Sequence, residues 1–202
     1  MNILVVGGAG YVGGGIVDKL SKDHEVTVYD SLIYETSYRK KVNFILGDIR
    51  DYDSVSKALK KTSTCLHLAA LIGIPYSYVS PLAYIKTNIE GTYNILESAK
   101  LRQTEKIIIT STSETYGTAQ TIPIDESHPL QGQSPYSASK IGADMTATSY
   151  AKSFELPIVI LRPFNTYGPR QSSRAVIPTI ISQAIKKGAV ELGSLSPLRD
   201  LN

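Results

Sequence analysis

The 202-residue sequence has a single cysteine, three histidines and no large excess of either charge. One thiol allows no disulfide within the chain, and Cys65 sits in the run Thr64-Cys65-Leu66-His67-Leu68, which reads as a buried strand rather than a nucleophile or ligand. No constellation of metal-ligating residues is read. A formal charge of +3 without a long run of Lys or Arg argues against a groove that tracks a phosphate backbone, so nucleic acid is not an expected partner. No apolar run approaches the roughly 20 residues needed to span a bilayer. Met1 leads straight into Ile3-Leu4-Val5-Val6, which is too short for a signal peptide and lacks a cationic flank, so no membrane partner and a cytoplasmic location are expected. Repeats, low-complexity tracts and flexible linkers are also missing, and nothing divides the chain into independently folding segments.

Apolar residues make up 42% and charged residues 19%, the balance of an ordered globular domain. Short runs rich in Val and Ile alternate with longer amphipathic stretches, as strands buried on both faces alternate with crossover helices. Strands are expected near 2–6, 25–29, 42–46, 64–68, 106–111 and 157–161, with a short one near 190–192. Helices are expected near 11–21, 53–61, 81–100, 135–154 and 175–187, with Asp53-Ser54 and Ser134-Pro135 as start signals. The fold class is α/β, a doubly wound parallel-sheet Rossmann fold. After residue 162 the chain is irregular and rich in Pro, Arg and Asn, as loops built around a ligand are.

Ile3-Leu4-Val5-Val6-Gly7-Gly8-Ala9-Gly10-Tyr11-Val12-Gly13 reads as strand, tight turn and helix start. Gly7 allows the turn, Gly10 lets backbone approach a pyrophosphate, and Gly13 lets helix and strand pack closely. Tyr11 and Val12 open the helix, whose first N–H groups and positive dipole end face the phosphates. Asp30 ends the next strand, about twenty residues on, where its carboxylate accepts from a ribose diol and repels a 2′-phosphate. The expected cofactor is therefore NAD rather than NADP.

Tyr136-Ser137-Ala138-Ser139-Lys140 puts a phenol and an ammonium at i and i+4, hence on one helix face. A cation beside the phenol favours the phenolate, so Tyr136 is the expected base for a substrate hydroxyl. With the glycine loop, this pair gives the pattern a redox character.

In these features the sequence resembles the extended short-chain dehydrogenase/reductase family of nucleotide-sugar epimerases and dehydratases. The G-x-x-G-x-x-G spacing, Asp48-Ile49, His67-Leu68-Ala69-Ala70, Asn88, the Ser/Thr run from Ser111 and the Tyr136/Lys140 pair follow in the family's order across essentially the whole chain. The resemblance implies that Asp48 and Ile49 flank the adenine and that Leu68, Ala69 and Ala70 line the cofactor cleft. It further implies that Asn88 and Pro163 contact the cofactor, Ser111 and Thr112 lie near the reacting hydroxyl, and Lys140 also holds the nicotinamide ribose.

The stretch Ser111-Thr112-Ser113-Glu114-Thr115-Tyr116-Gly117 separates reactions within the family. The 4,6-dehydratases carry glutamate at the position of Glu114, where 4-epimerases are usually small or neutral. Once the sugar C4 hydroxyl is oxidised to a ketone, the C5 proton becomes acidic, a carboxylate removes it, the C6 hydroxyl leaves as water, and hydride returns to C6 to give a 4-keto-6-deoxy sugar and regenerated NAD. Ser113 stands where dTDP-glucose dehydratases have aspartic acid and resembles GDP-mannose dehydratases instead. The catalytic set implied is Tyr136, Lys140, Thr112, Ser113 and Glu114.

Residues 1–161 are thus expected to form the NAD-binding Rossmann domain, and residues 162–202 the beginning of a nucleotide-sugar-binding region that is incomplete here. By resemblance Asn165 donates to a phosphate oxygen, Arg174 closes over the ligand and Arg199 pairs with the diphosphate. The resemblance implies a nucleotide-diphosphate sugar as substrate, of the UDP- or GDP-linked N-acetylhexosamine kind. UDP-glucuronate decarboxylation, 4-epimerisation and a truncated, non-catalytic NAD-binding module are the alternatives. A homodimer through the helices near 81–100 and 135–154 is expected.

Overall fold

A computed structural model describes residues 1–33, 42–173, 175–193, 195 and 201, with the side chain of Lys187 excepted. The chain divides into two compact units, residues 1–162 and 163–202.

The first unit contains six parallel strands: β1 (Asn2–Val6), β2 (Glu25–Asp30), β3 (Asn43–Leu46), β4 (Thr64–His67), β5 (Lys106–Thr110) and β6 (Ile158–Leu161). Their order, β3-β2-β1-β4-β5-β6, is that of the doubly wound sheet expected from the alternating pattern. The order reverses between β1 and β4, which pair from Ile3 with Thr64 to Val6 with His67. Sheets of this order bind ligands beyond the carboxyl ends of the strands at such a reversal, and the glycine loop follows β1 there.

Alternate residues of each strand enter two separate cores. Leu4, Val6, Tyr29, Cys65, Ile107 and Ile109 pack with Val55, Leu59, Ile95, Leu96 and Ala147 on one face, whereas Ile3, Val5, Val26 and Val28 pack with Val17 on the other. Among the described residues, five α-helices flank the strands in this unit before the helix that carries Tyr136 and Lys140: α1 (Tyr11–Leu20), α2 (Tyr52–Ala58), α3 (Ile74–Val79), α4 (Pro81–Tyr84) and α5 (Gly91–Arg102). The sixth, α6 (Pro135–Phe154), starts with a capping box in which Ser134 and Ser137 satisfy each other's backbone N–H groups, with Pro135 in the first turn. Glu155 ends it in the left-handed region.

Three expectations need correction. The helix anticipated at 53–61 starts earlier, because Asp51 rather than Asp53 caps it by accepting from Ser54 N. The helix anticipated at 81–100 is interrupted by a π-helical stretch at Ile85–Glu90, and α3 precedes it unannounced. No strand forms at 190–192, where Glu191 instead exchanges hydrogen bonds with the Gln183 side chain.

The second unit is built around α7 (Val176–Lys187), which Gly188 closes at φ +66°. An open groove in this unit is lined by Tyr167, Arg170, Gln171, Ile177, Ile181 and Ser182, among others. Among the described residues no helix is long and apolar enough to cross a membrane.

Candidate active site

Gly7 adopts φ +84°, and a Cβ there would lie 2.6 Å from Ala69 N. A Cβ on Gly13 would lie 2.2 Å from Gly7 O, so the loop closes only because both positions lack side chains. Gly10 is different. Its φ of −69° suits any residue, and an added Cβ would meet only Gly7 O, at 3.4 Å. The chain's own packing gives no reason for glycine at that position, but a ligand resting on the helix N-terminus does. Asp30 reaches the same loop: its Oδ2 accepts from Ala9 N at 3.0 Å and its Oδ1 from Leu32 N at 2.9 Å. Each oxygen retains a lone pair for a further donor.

At the neighbouring strand end, Leu68 N and Ala69 N both donate to Val6 O, which holds Leu68, Ala69 and Ala70 against the glycine turn. Tyr11 and Val12 form the first turn of α1. Asp48 follows β3, and hydrogen bonds from Arg50 hold its carboxyl below the usual range. Ile49 points its side chain into the core, close against Gly91, which leaves its main chain as the part nearest Asp48.

Asn88 sits in the π-helical stretch, a local widening frequent at functional sites. Its amide is already committed: Oδ1 accepts from Leu71 N at 2.9 Å, and Nδ2 donates to Leu71 O at 3.0 Å and Ser139 Oγ at 2.9 Å. It thereby ties the loop after β4 to α6. His67, at the end of β4, is buried and its ring pKa is pushed down to about 3 by burial and by the charge of Lys140. Thr92 Oγ1 donates to Asn88 O, so it accepts from His67 Nε2–H, and this fixes Nδ1 as a buried acceptor with no partner among the described residues.

Tyr136 and Lys140 face inward from α6, each at least nine-tenths buried. Tyr84 meets the Tyr136 ring edge-on at a centroid distance of 6.2 Å. Lys140 Nζ donates to Thr110 O at 2.7 Å, and burial lowers its pKa to about 8 while Asp144 pulls it upward. The Tyr136 phenol is raised rather than lowered: burial dominates, a hydrogen bond from the Thr112 hydroxyl opposes it, and the nearby Glu114 carboxylate adds to the rise. In the protein by itself desolvation of the phenolate dominates, so the lowering expected of Lys140 is not seen.

Ser111 follows β5 and is buried, with its Oγ unpartnered among the described residues. Thr112 caps the short 3₁₀ turn Ser113–Thr115, its Oγ1 accepting from Glu114 N at 3.2 Å. That turn brings Thr112 and Glu114 to Tyr136, with Ser113 between them. Sequence reading did not single out Thr110, Asp144 or Arg162, which surround Lys140 and the turn. Asp144 lay one turn beyond Lys140 on the same face, a spacing visible in the sequence, but its partner Arg162 is a tertiary neighbour.

Pro163 and Asn165 belong to the second unit, where Asn165 forms an isolated bridge with Leu201. Arg174 and Arg199 lie outside the described residues. Among the described residues no group of three or more His, Cys, Asp and Glu could hold a metal ion.

The sheet order, the glycine loop at its switch point and the inward-facing Tyr136/Lys140 pair define a Rossmann protein of the short-chain dehydrogenase/reductase type. The chain belongs to the family whose model is described as GDP-mannose 4,6 dehydratase, matched over residues 4–202. It is 32% identical over 201 residues to a dTDP-glucose 4,6-dehydratase of an Actinoplanes species, with 92% of this chain and 63% of that protein covered. The chain therefore spans less than two thirds of that relative. Among solved structures it resembles a dTDP-glucose 4,6-dehydratase from Streptomyces venezuelae determined with NAD bound, at TM-score 0.91 and 31% identity over 100% of this chain and 67% of that one. A UDP-N-acetylglucosamine 4-epimerase from Methanobrevibacter ruminantium is similar at TM-score 0.89 and 34% identity, with 100% and 68% covered.

Proposed function

We propose that this chain carries the NAD-dependent chemistry of a nucleotide-sugar 4,6-dehydratase. The observation that carries this reading is the approach of Glu114 to Tyr136, close enough for its charge to act on the phenol. A 4-epimerase needs the phenol but has no use for a second base beside it.

The residues fit NAD. Gly10 leaves the helix N-terminus clear, Asp30 offers two oxygens with capacity for a ribose diol, and the orphaned Ser111 hydroxyl lies beside Thr112. Bound there, NAD would supply reversible hydride transfer, away from C4 at the oxidation and back to C6 once water is lost, so that the product is a 4-keto-6-deoxy sugar. Tyr136 would take the proton of the C4 hydroxyl, with Thr112 hydrogen-bonded to the phenol oxygen and Lys140 supplying positive charge. Glu114 would then remove the C5 proton, and the C6 hydroxyl would leave as water with Ser113 orienting its proton. Asn88, with its amide spent on Leu71 and Ser139, is a strut for this arrangement rather than a donor to the cofactor. Residues from Pro163 onward would begin the nucleotide-sugar side, with Asn165, Arg174 and Arg199 as phosphate contacts.

For the sugar, Ser113 in place of an aspartic acid speaks against dTDP-glucose, and a UDP- or GDP-linked N-acetylhexosamine remains the substrate class proposed. The second reading, 4-epimerisation, is supported by the likeness to the Methanobrevibacter epimerase. Product masses separate the two when the protein and NAD are incubated with UDP-GlcNAc, GDP-GlcNAc, GDP-mannose, UDP-glucuronate and dTDP-glucose. Loss of water from one of the hexoses is expected; an unchanged mass with inverted C4 supports the epimerase, and loss of carbon dioxide a decarboxylase. Glu114→Gln should still yield NADH and 4-keto sugar while water loss slows about 100-fold or more. Water loss at the wild-type rate in that variant would sink the dehydratase reading.

A homodimer through α5 and α6 is part of the proposal. Tyr93, Leu101, Met145 and Phe154 on these helices are all more than 40% exposed, a run of large apolar groups that a four-helix interface would cover. Equilibrium sedimentation should give twice the chain mass at micromolar concentration, and a monomer there would overturn it.

A further inference from the structure

We propose that Asp144 is a positioning residue for the Tyr136/Lys140 pair, the buried counter-ion that keeps the Lys140 ammonium charged inside the site. The inference rests on the reading of that pair as the redox centre. Tyr136, Lys140 and Asp144 stand at i, i+4 and i+8 on α6 and share one inward face, with Asp144 fully buried.

Among the described residues the hydrogen bond of Lys140 Nζ runs to a neutral carbonyl, Thr110 O, at 2.7 Å. An ammonium removed from water with neutral partners alone tends to lose its proton. Asp144 is the one charge that acts on it favourably. The other ionisable groups on elements packed around this face do not do so. His67 on β4 is held neutral, and Glu97 on α5 is engaged with Lys100 and Tyr150. On the 3₁₀ turn, Glu114 acts on Tyr136, while Tyr84 from α4 donates to Gly73 O.

Asp144 is itself fixed from outside the helix. Arg162, at the end of β6, donates through Nε to Asp144 Oδ2 at 2.9 Å and through a second nitrogen to Tyr116 Oη at 3.2 Å, while its guanidinium lies 5.3 Å from the Tyr116 ring centroid. Tyr116 closes the turn that carries Ser113 and Glu114. One guanidinium thus joins the helix of Tyr136 to the turn of Glu114. Asp144 Oδ1 has no hydrogen-bond partner among the described residues. Buried ion pairs add little net stability over a neutral pair of similar shape, so a half-satisfied carboxylate calls for a reason other than folding. A charge one turn from Lys140 supplies that reason.

The test follows Lys140 directly by titrating its ¹⁵Nζ resonance, assigned from its loss in Lys140→Met. The wild-type midpoint is expected at about 8. Asp144→Asn should lower it by about one unit or more, and Asp144→Glu should restore it. Because Asp144→Asn strands the part-buried Arg162, the double variant Asp144→Asn/Arg162→Gln is titrated alongside. It retains a neutral hydrogen-bonding pair and should show a smaller fall in the same direction, since the repulsion of the Arg162 cation is removed with the carboxylate. An unmoved midpoint in either folded variant overturns the counter-ion role. The resonance needs neither cofactor nor sugar, so a protein that shows the fall yet dehydrates no sugar overturns the reaction assignment and leaves the role of Asp144 standing.

Discussion

The glycine loop and the Tyr136/Glu114 centre follow β1 and β5, with β4 between these strands, and are built in opposite ways. The loop is one continuous stretch, Gly7 to Gly13, and works by lacking side chains: it closes because two Cβ atoms are missing and stays open because a third is missing. The centre is assembled from β4, β5, the turn after β5, α6 and the end of β6, and works by burying charges. Lys140, Asp144 and Arg162 are drawn together there, with His67 held neutral beside them. A binding surface made of backbone agrees with the fold's own requirements. A chemical centre made of desolvated charge opposes them, because each charged form is penalised by burial.

The sharpest way to break this comparison is to remove the phenol oxygen and leave the backbone alone. Tyr136→Phe keeps the ring packed against Tyr84 and deletes only the group proposed as the base. Oxidation of the sugar, followed as NADH absorbance in a single turnover, should fall about 10³-fold, within the range general-base catalysis supplies. NAD affinity should change little. If both fall together, the two regions are not separable.

Lys140 tests the cost of the charged centre. Its folded pKa of about 8 lies below the ordinary 10.5, so between these values the unfolded chain holds a proton the folded chain does not. Stability therefore rises with pH across that window, and the penalty is fully present below pH 8. The shift corresponds to about 3 kcal/mol, from which roughly 1 kcal/mol for the lost bond to Thr110 O is to be set off. Lys140→Met should thus be about 2 kcal/mol more stable than wild type at pH 7, with the advantage shrinking as pH approaches 10.5. Urea unfolding of both proteins at the two pH values checks this, and a difference that does not vary with pH would refute it. Redox activity should be lost although the fold is firmer.

The same contrast explains how much could be read from the sequence. The sheet, its order and the glycine loop were legible because their signals are local: apolar runs of the right length and glycines at fixed spacing. Tyr136 and Lys140 were legible because four residues on a helix guarantee a shared face. The direction of the Tyr136 shift was not, since burial is set by Tyr84, the 3₁₀ turn and β5 together. Nor was the commitment of the Asn88 amide, which depends on a π-helical stretch that no residue pattern announced. Arg162 carried no local mark of its role, because both its partners come from elsewhere in the chain.

The smallest expected effect, that of Gly10→Ala, sharpens the comparison within the loop itself, with Gly13→Ala as its control. Gly13→Ala forces a methyl group to 2.2 Å from Gly7 O and should destabilise the protein by on the order of 3 kcal/mol, whether or not NAD is present. Gly10→Ala meets nothing nearer than 3.4 Å at a φ any residue accepts, and its local cost is the weaker N-cap that alanine makes for α1, about 0.5 kcal/mol. Its melting temperature without cofactor should fall by only about 2 °C, while NAD affinity falls about tenfold, or roughly 1.4 kcal/mol, by calorimetry. A Gly10→Ala protein that binds NAD as tightly as wild type would mean that the middle glycine is not there for a ligand, and the clearest cofactor signal in the loop would be gone.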